Sequence, residues 1–223
     1  MLLIDTDLIV YRTGFGCKNY EWPAVKSIID DTMYKIIEKC NEDNYVAVIS
    51  GTGPTFRHSI AVTAPYKGNR KAEKPPFYHE IRQYLKDQWA AVETEGIEAD
   101  DYMGINCTRK DIICTTDKDL KMIPAKFHYN FVKDTFVKVK RNMYYFWHQL
   151  LTGDTADNII GLKGIGEVKA TKLLKGKKLK EMKEIVLREY TREFQENAQA
   201  RFHENANLLW ILRDEKKTYA DYI

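Results

Sequence analysis

Acidic side chains gather in four short motifs of the sequence. Asp5 closes the apolar run Leu2-Leu3-Ile4, and Glu98, Asp100 and Asp101 crowd the stretch Gly96-Ile97-Glu98-Ala99-Asp100-Asp101. Asp117 and Asp119 follow the run Asp111-Ile112-Ile113-Cys114, and Asp154 and Asp157 fall within residues 152–158. Any one pair alone reads more readily as a helix cap or a turn than as a ligand. Together they demand more, because carboxylates crowded at one place repel unless a cation neutralises them. The motifs contain no His or Cys ligand set, so the donors are all oxygen, which suits Mg²⁺ or Mn²⁺ rather than zinc. Two such ions about 4 Å apart are the usual apparatus for in-line cleavage of a phosphodiester.

Lysine-rich segments offer the complementary chemistry. Residues 158–174 read NIIGLKGIGEVKATKLL, with Gly164-Ile165-Gly166 between apolar positions and Ala170, Leu173 and Leu174 behind. This is the pattern of a helix–hairpin–helix over residues 158–175, whose glycines let backbone N–H groups approach a phosphate. Lys163, Lys169 and Lys172 flank it, and residues 161–183 hold eight Lys against two Glu. Such a stripe contacts phosphates without reading base sequence; a solvated lysine face is the plain alternative. A second cluster, Tyr66-Lys67-Gly68-Asn69-Arg70-Lys71, is either an exposed turn or a set of cations placed over a phosphate in its transition state. Tyr66, Phe77 and Tyr78 are candidates for stacking on bases, Phe77 being the better candidate for core.

Something must hold these groups together, and the apolar pattern says what. Leu2-Leu3-Ile4, Val46-Ala47-Val48-Ile49, Ala90-Ala91-Val92 and 111–114 are short runs without polar alternation, as expected of strands covered on both faces. Residues 25–40 and 77–89 carry apolar side chains at helical spacing. Alternation of this kind predicts an α/β fold, a mostly parallel central sheet flanked by helices. In such a sheet ligands bind at the carboxyl ends of the strands, where the acidic motifs fall. Residues 127–131 and 135–139 predict a hairpin or edge strands, and almost everything after Met143 reads as helix. The expected organisation is therefore a metal-dependent α/β core over 1–140 and a helical portion over 141–223, packed as one unit.

Composition excludes several classes. Hydrophobic residues make up 44% of the 223, too many for a disordered chain. No apolar run approaches the roughly 20 residues of a membrane span, and Asp5 and Asp7 break a signal-peptide reading. Cys17, Cys40, Cys107 and Cys114 form no CxxC pair, which points to a reducing cytosol. The net charge of +3, from 35 Lys+Arg and 32 Asp+Glu, hides the segregation of acidic and basic motifs.

Read in order, IDTDLIVYR, FR before YKGNR, EADD, TDKD, GDTADN and GLKGIGEVKA resemble the 5′ nuclease, or flap endonuclease, superfamily. That superfamily includes compact phage 5′→3′ exonucleases and the 5′-nuclease domain of bacterial DNA polymerase I. The resemblance runs from residue 2 to about 175, and more loosely to FHENANLLWIL. It implies a PIN-like fold and a structure-selective nuclease that hydrolyses DNA in replication, repair or RNA-primer removal. Asp5, Glu98 and Asp100 match ligands of a first Mg²⁺, and Asp117, Asp119, Asp154 and Asp157 those of a second, with Asp101 a neighbouring acid. Lys67 and Arg70 match basic residues that approach the scissile phosphate. Tyr66, Lys71, Lys163, Gly164, Gly166, Lys169 and Lys172 are then DNA contacts, with K⁺ beside the hairpin. The implied mechanism is in-line attack of a metal-activated water, leaving a 5′-phosphate and a 3′-hydroxyl. The implied partners are DNA with 5′ ends, nicks, gaps or flaps and RNA–DNA hybrid, met by a monomer in a bacterial or phage-infected cytoplasm with no membrane attachment.

Two departures stand against that pattern. The family places another Asp just after the second strand, whereas residues 45–72 contain no Asp or Glu, and Ser50 and Thr52 occupy the loop. A weakened or rearranged first metal site is the expectation, and a nucleic-acid-binding protein with lost catalysis is the alternative. Only residues 71–97 separate Arg70 from Glu98, and Pro75-Pro76 stops a helix there, so a long threading arch does not fit. A small-molecule phosphatase is a third reading, which the hairpin argues against.

Overall fold

Strand β1 (Leu2–Asp5) is buried at every position, because sheet and helices cover both its faces. The computed structural model describes residues 1–70, 73–140 and 142–223. Around β1 lie β2 (Tyr45–Ile49), β3 (Val92–Glu93), β4 (Ile112–Cys114), β5 (Phe127–Asn130) and β6 (Thr135–Val137), in the order β3-β2-β1-β4-β5-β6. Every pairing is parallel except β5 with β6, the expected hairpin. After β1 the chain builds one half of the sheet through β2 and β3, then returns to β4 on the other side. The switch point of the sheet therefore lies between β1 and β4, at the ends that carry Asp5 and Thr115, the place where sheets of this kind bind ligands.

The helices of this part follow from their apolar spacing. Helix α1 (Asp7–Gly16) opens immediately after β1; α2 (Trp22–Cys40) starts with Pro23 in its first turn and buries Val25, Ile29, Met33, Ile36 and Cys40. The chain leaves α2 through Asn41 at φ 47°, a left-handed stop. Helix α4 (Tyr78–Trp89) buries Tyr78, Ile81, Arg82, Leu85 and Trp89. Tyr84 and Trp89 both donate to Asp30 of α2 at 2.8 Å, which locks these helices together. Phe77 stays outside the helix at φ 58°, stacks on Trp22 and packs against the core, as its apolar setting predicts. Helix α5 (Ala99–Asn106) precedes β4.

The chain divides into two units, Met1–Gly53 with Ala72–Val139, and Pro54–Lys71 with Lys140–Ile223. The second contains α3 (Phe56–Ile60), α6 (Asn142–Thr152), a hairpin of β7 (Gly153–Asp154) and β8 (Ile159–Ile160), α7 (Glu167–Leu174), α8 (Leu179–Phe194) and α9 (Ala198–Leu209). Residues 54–71 were expected in the core, and the side chain of Arg57 explains why they group elsewhere. It is 1% exposed and donates through Nε to the Leu208 carbonyl at 2.9 Å and through Nη2 to that of Trp210 at 2.7 Å. Glu204 adds to this by accepting from Val62 N–H at 2.8 Å and Thr63 N–H at 2.6 Å. Within the unit, Tyr190 donates to the Leu150 carbonyl at 2.8 Å, and Asn205 donates to both Tyr190 and the Ile160 carbonyl. Those bonds tie α6, α8, α9 and β8 into one frame. The stretch 158–175 holds one helix, α7; the strand β8 replaces a helix ahead of the hairpin, and α6 is the preceding one. No helix among the described residues is long and apolar enough to cross a membrane.

Candidate active site

Asp5 ends β1 at the switch point, 7% exposed, and its Oδ2 accepts from the Thr115 hydroxyl at 2.9 Å. Thr115 Oγ1 also accepts from Asp117 N–H at 3.0 Å, and Asp117 Oδ1 accepts from Asp119 N–H at 2.8 Å. One chain of bonds thus links the ends of β1 and β4 and shapes the turn that carries two further acids. Asp119 opens a 3₁₀ turn, Asp119–Met122, which buried His128 of β5 holds from below through Nε2 at 2.9 Å from the Leu120 carbonyl. Burial keeps His128 below its usual value, so the neutral ring donates that bond.

Glu98 is the N-cap of α5, and Asp101 completes a capping box by accepting from Glu98 N–H at 3.2 Å. Asp100 Oδ1 accepts from Asp101 N–H at 2.8 Å. The helix dipole favours negative charge here. Carboxylate oxygens of Glu98, Asp100 and Asp101 come within 4.8 Å of one another, the one such metal-capable group among the described residues. The carboxylates at the start of α5 are therefore also the ones that form this group. The donors are oxygen only, and the set fits a hard divalent cation.

Burial foremost, and then the charge of Asp7, pushes the Asp5 carboxyl up to about 8, with Asp117 adding to the push and the Thr115 bond opposing it. Asp7 is a member of this rim that sequence reading passed over. Its folded-state value being raised, Asp5 keeps a proton in the folded chain between pH 3.8 and about 8 that the unfolded chain has lost. The contribution of this group to stability therefore falls as pH rises through that window. Metal-free protein is expected to gain a larger rise in thermal midpoint from Mg²⁺ at pH 8 than at pH 5. Equal rises at both pH values, read by differential scanning fluorimetry, would contradict this.

In the second unit, residues far apart in sequence form another polar group. Asp157 accepts from Tyr66 OH at 2.8 Å and from Arg70 Nη2 at 2.5 Å, with Lys67 Nζ at 4.0 Å. Lys67 N–H donates to the Asp157 carbonyl at 2.9 Å, Asn69 to that of Thr155 at 2.7 Å and Arg70 Nε to that of Ala156 at 3.2 Å. The YKGNR segment is thus stitched onto the turn holding Asp154, whose Oδ1 accepts from Ala156 N–H at 2.9 Å. Asp157 is the counter-ion of the two basic residues here. Tyr66 is only 5% exposed, so its ring is not presented for base stacking; its hydroxyl is spent on Asp157. Lys71 lies outside the described residues.

The lysine hairpin follows its sequence pattern closely. Gly164 has φ +72°, where a side chain would be strained, and Gly166 caps α7. Leu162, Ile165, Ala170 and Leu174 are buried beneath, while Lys163, Lys169 and Lys172 are exposed. Lys169 Nζ reaches the Gly164 carbonyl at 3.3 Å. The Lys163 N–H donates to the Glu193 carboxylate at 2.9 Å, a partner from α8 that no local spacing announces.

Comparison with known proteins agrees with this geometry. The family described as 5′-3′ exonuclease, N-terminal resolvase-like domain matches residues 1–145. A DNA polymerase I of Caldicellulosiruptor bescii is 28% identical over 208 residues, covering 78% of this chain and 24% of the relative. A 5′-3′ exonuclease of Mycoplasmopsis pulmonis is 29% identical over 197 residues, covering 78% of this chain and 65% of the relative. The chain therefore spans about a quarter of the polymerase and about two thirds of the exonuclease. Among solved structures, T5 5′-exonuclease with divalent metal ions (zinc) bound has the same fold, with a TM-score of 0.62 at 13% identity over 94% of this chain and 99% of that one. With the acid-bearing switch point of its parallel sheet and a family match over residues 1–145, the chain belongs to the 5′-3′ exonuclease family.

Proposed function

We propose that this protein is a divalent-metal-dependent 5′ nuclease that hydrolyses phosphodiester bonds at 5′ ends, nicks, gaps and flaps of DNA. The observation that carries the reading is the all-oxygen group of Glu98, Asp100 and Asp101, on the same sheet rim as Asp5, Asp117 and Asp119. Asp5, Glu98 and Asp100 hold a first Mg²⁺, for which Mn²⁺ substitutes; Asp117 and Asp119 contribute to a second. Such ions supply Lewis acidity to the phosphate and a nucleophile at neutral pH. Asp101, fully buried and locked to Glu98, orients that ligand. Lys67 and Arg70 present cations to a phosphate, and Asp157 keeps both in place until one arrives. The exposed Lys163, Lys169 and Lys172 and the Gly164–Gly166 turn grip duplex phosphates, with K⁺ as the hairpin's ion. The protein acts as a monomer in the cytosol, with DNA as its substrate and RNA–DNA hybrid as a further one.

One observation favours a second reading, a binding protein with lost catalysis: the loop after β2, where the family pattern has an acid, contains none from residue 45 to 72. A substrate panel separates the two. Labelled nicked, recessed, long-flapped and RNA-primed duplexes are incubated side by side with Mg²⁺. Cleavage of nicked and recessed 5′ ends at least as fast as long flaps is expected, given the short segment between Arg70 and Glu98. A strong preference for long flaps would refute the absence of a threading arch, and binding without cleavage of any substrate would favour the second reading.

A further inference from the structure

The loop after β2 contains no carboxylate, and its first two positions are committed to other contacts. All three polar groups of Ser50 are engaged: N–H to Asp7 Oδ2 at 3.1 Å, Oγ from Ala99 N–H at 3.0 Å, and carbonyl from Arg82 Nη2 at 2.7 Å. At Gly51 a Cβ would lie 2.2 Å from the Thr94 carbonyl oxygen, so that position cannot carry a side chain without moving the residue that follows β3. Gly51 N–H is also fastened to Thr94 Oγ1 at 3.2 Å. The acid that the fold bonds to this loop is Asp7, in the first turn of α1 and two residues beyond Asp5.

Asp7 is steadied on both sides. Its Oδ2 takes the Ser50 amide, and its Oδ1 is 3.6 Å from Nη1 of Arg82, a residue only 5% exposed. The same guanidinium is bound more closely by Glu93 at 2.6 Å, which Lys86 also pairs at 2.9 Å. Two cations, Arg82 and Lys86, thus meet two carboxylates, Asp7 and Glu93, and the shared Arg82 guanidinium fixes the position of Asp7. Ser50 Oγ, for its part, ties this same corner to the first amide of α5, the helix that carries Glu98, Asp100 and Asp101.

We propose that Asp7 supplies, from the start of α1, the negative charge that the loop after β2 lacks, with Arg82 as its positioning residue. This rests on the nuclease reading above, for it concerns the first metal of that site. A purely structural role for Asp7, as counter-ion of Arg82, predicts something different, which makes the two separable. Asp7→Asn keeps the shape and an oxygen for the Ser50 amide but removes the charge.

The test is Mn²⁺ binding to the metal-free full chain without DNA, read by the electron paramagnetic resonance of free Mn²⁺, with thermal midpoints alongside. Asp7→Asn is expected to weaken Mn²⁺ affinity by about tenfold, the scale on which residues around a metal site act. Adding Ser50→Asp to Asp7→Asn should restore most of the loss. Ser50→Asp alone, which leaves Asp7 in place, should tighten Mn²⁺ by a smaller factor than it does beside Asp7→Asn. Unchanged affinity in Asp7→Asn, whatever its midpoint, overturns the proposal. So does an equal effect of Ser50→Asp in both backgrounds; if Asp7→Asn folds poorly, Arg82→Lys, which loosens the hold on Asp7 and keeps every charge, decides instead, and unchanged Mn²⁺ affinity there overturns the proposal. Wild-type protein that takes up no Mn²⁺ would sink the nuclease reading itself; wild type that binds beside an indifferent Asp7→Asn sinks only the role of Asp7.

Discussion

Asp100→Asn is expected to slow cleavage of a 5′ end by about 10³-fold, a rise of ~4 kcal/mol in the barrier, without weakening DNA binding. The substitution is close to isosteric. Its amide oxygen can still accept from Asp101 N–H, the bond seen at 2.8 Å, so the first turn of α5 keeps its cap. What is lost is one negative charge from a group of three carboxylates whose oxygens lie within 4.8 Å. A ligand charge removed there lowers ion occupancy and leaves less positive charge to meet the phosphate in the transition state. Duplex affinity measured in Ca²⁺ should hold or rise, because one acid facing phosphate has gone. Single-turnover cleavage within about tenfold of wild type would show that Asp100 is a cap and no ligand.

The second large effect falls far from any chemistry. Arg57→Met should destabilise the unit formed by 54–71 and 140–223 by about 3 kcal/mol, because two buried carbonyls lose their donor together. Those carbonyls belong to Leu208 and Trp210, at the end of α9. The guanidinium also lies 4.6 Å from the Phe56 ring centroid, so packing is lost as well. A fall of about 10 °C in thermal midpoint is expected. Arg57→Lys should recover only part of it, since an ammonium lacks the fork that reaches both acceptors. A midpoint within about 2 °C of wild type for Arg57→Met would contradict the anchoring role.

Those two residues also mark how far the sequence could be read. Asp100 was legible because its chemistry and its place, in an acidic run at the start of a helix, are local facts. The strands were legible for the same reason: Leu2–Asp5 and Tyr45–Ile49 are apolar runs closed by polar residues, and both faces are covered. Arg57 was not, because its partners lie 151 and 153 residues away and no local pattern points to them. Helix α1 escaped because its buried residues include Thr13 and Gly14 beside Ile9 and Val10, a face with little apolar contrast. The strands β7 and β8 are two residues each, too short for any periodicity. Asp7 enters the sequence only as a charge that breaks a signal peptide, and the fold alone sets it against Ser50. Tyr66 looked available to DNA, and only the fold buries it against Asp157.

The acids at the switch point could serve a working nuclease or survive on a binding fold, and one measurement separates these most directly. A duplex with a single nick, labelled at the 3′ end of the strand downstream, is cut under single-turnover conditions across a Mg²⁺ titration. Progressive shortening of that strand from its 5′ end, absent in chelator and saturating with Mg²⁺, is the predicted result. Tight binding of the same duplex with no shortening at any Mg²⁺ or Mn²⁺ concentration would contradict it.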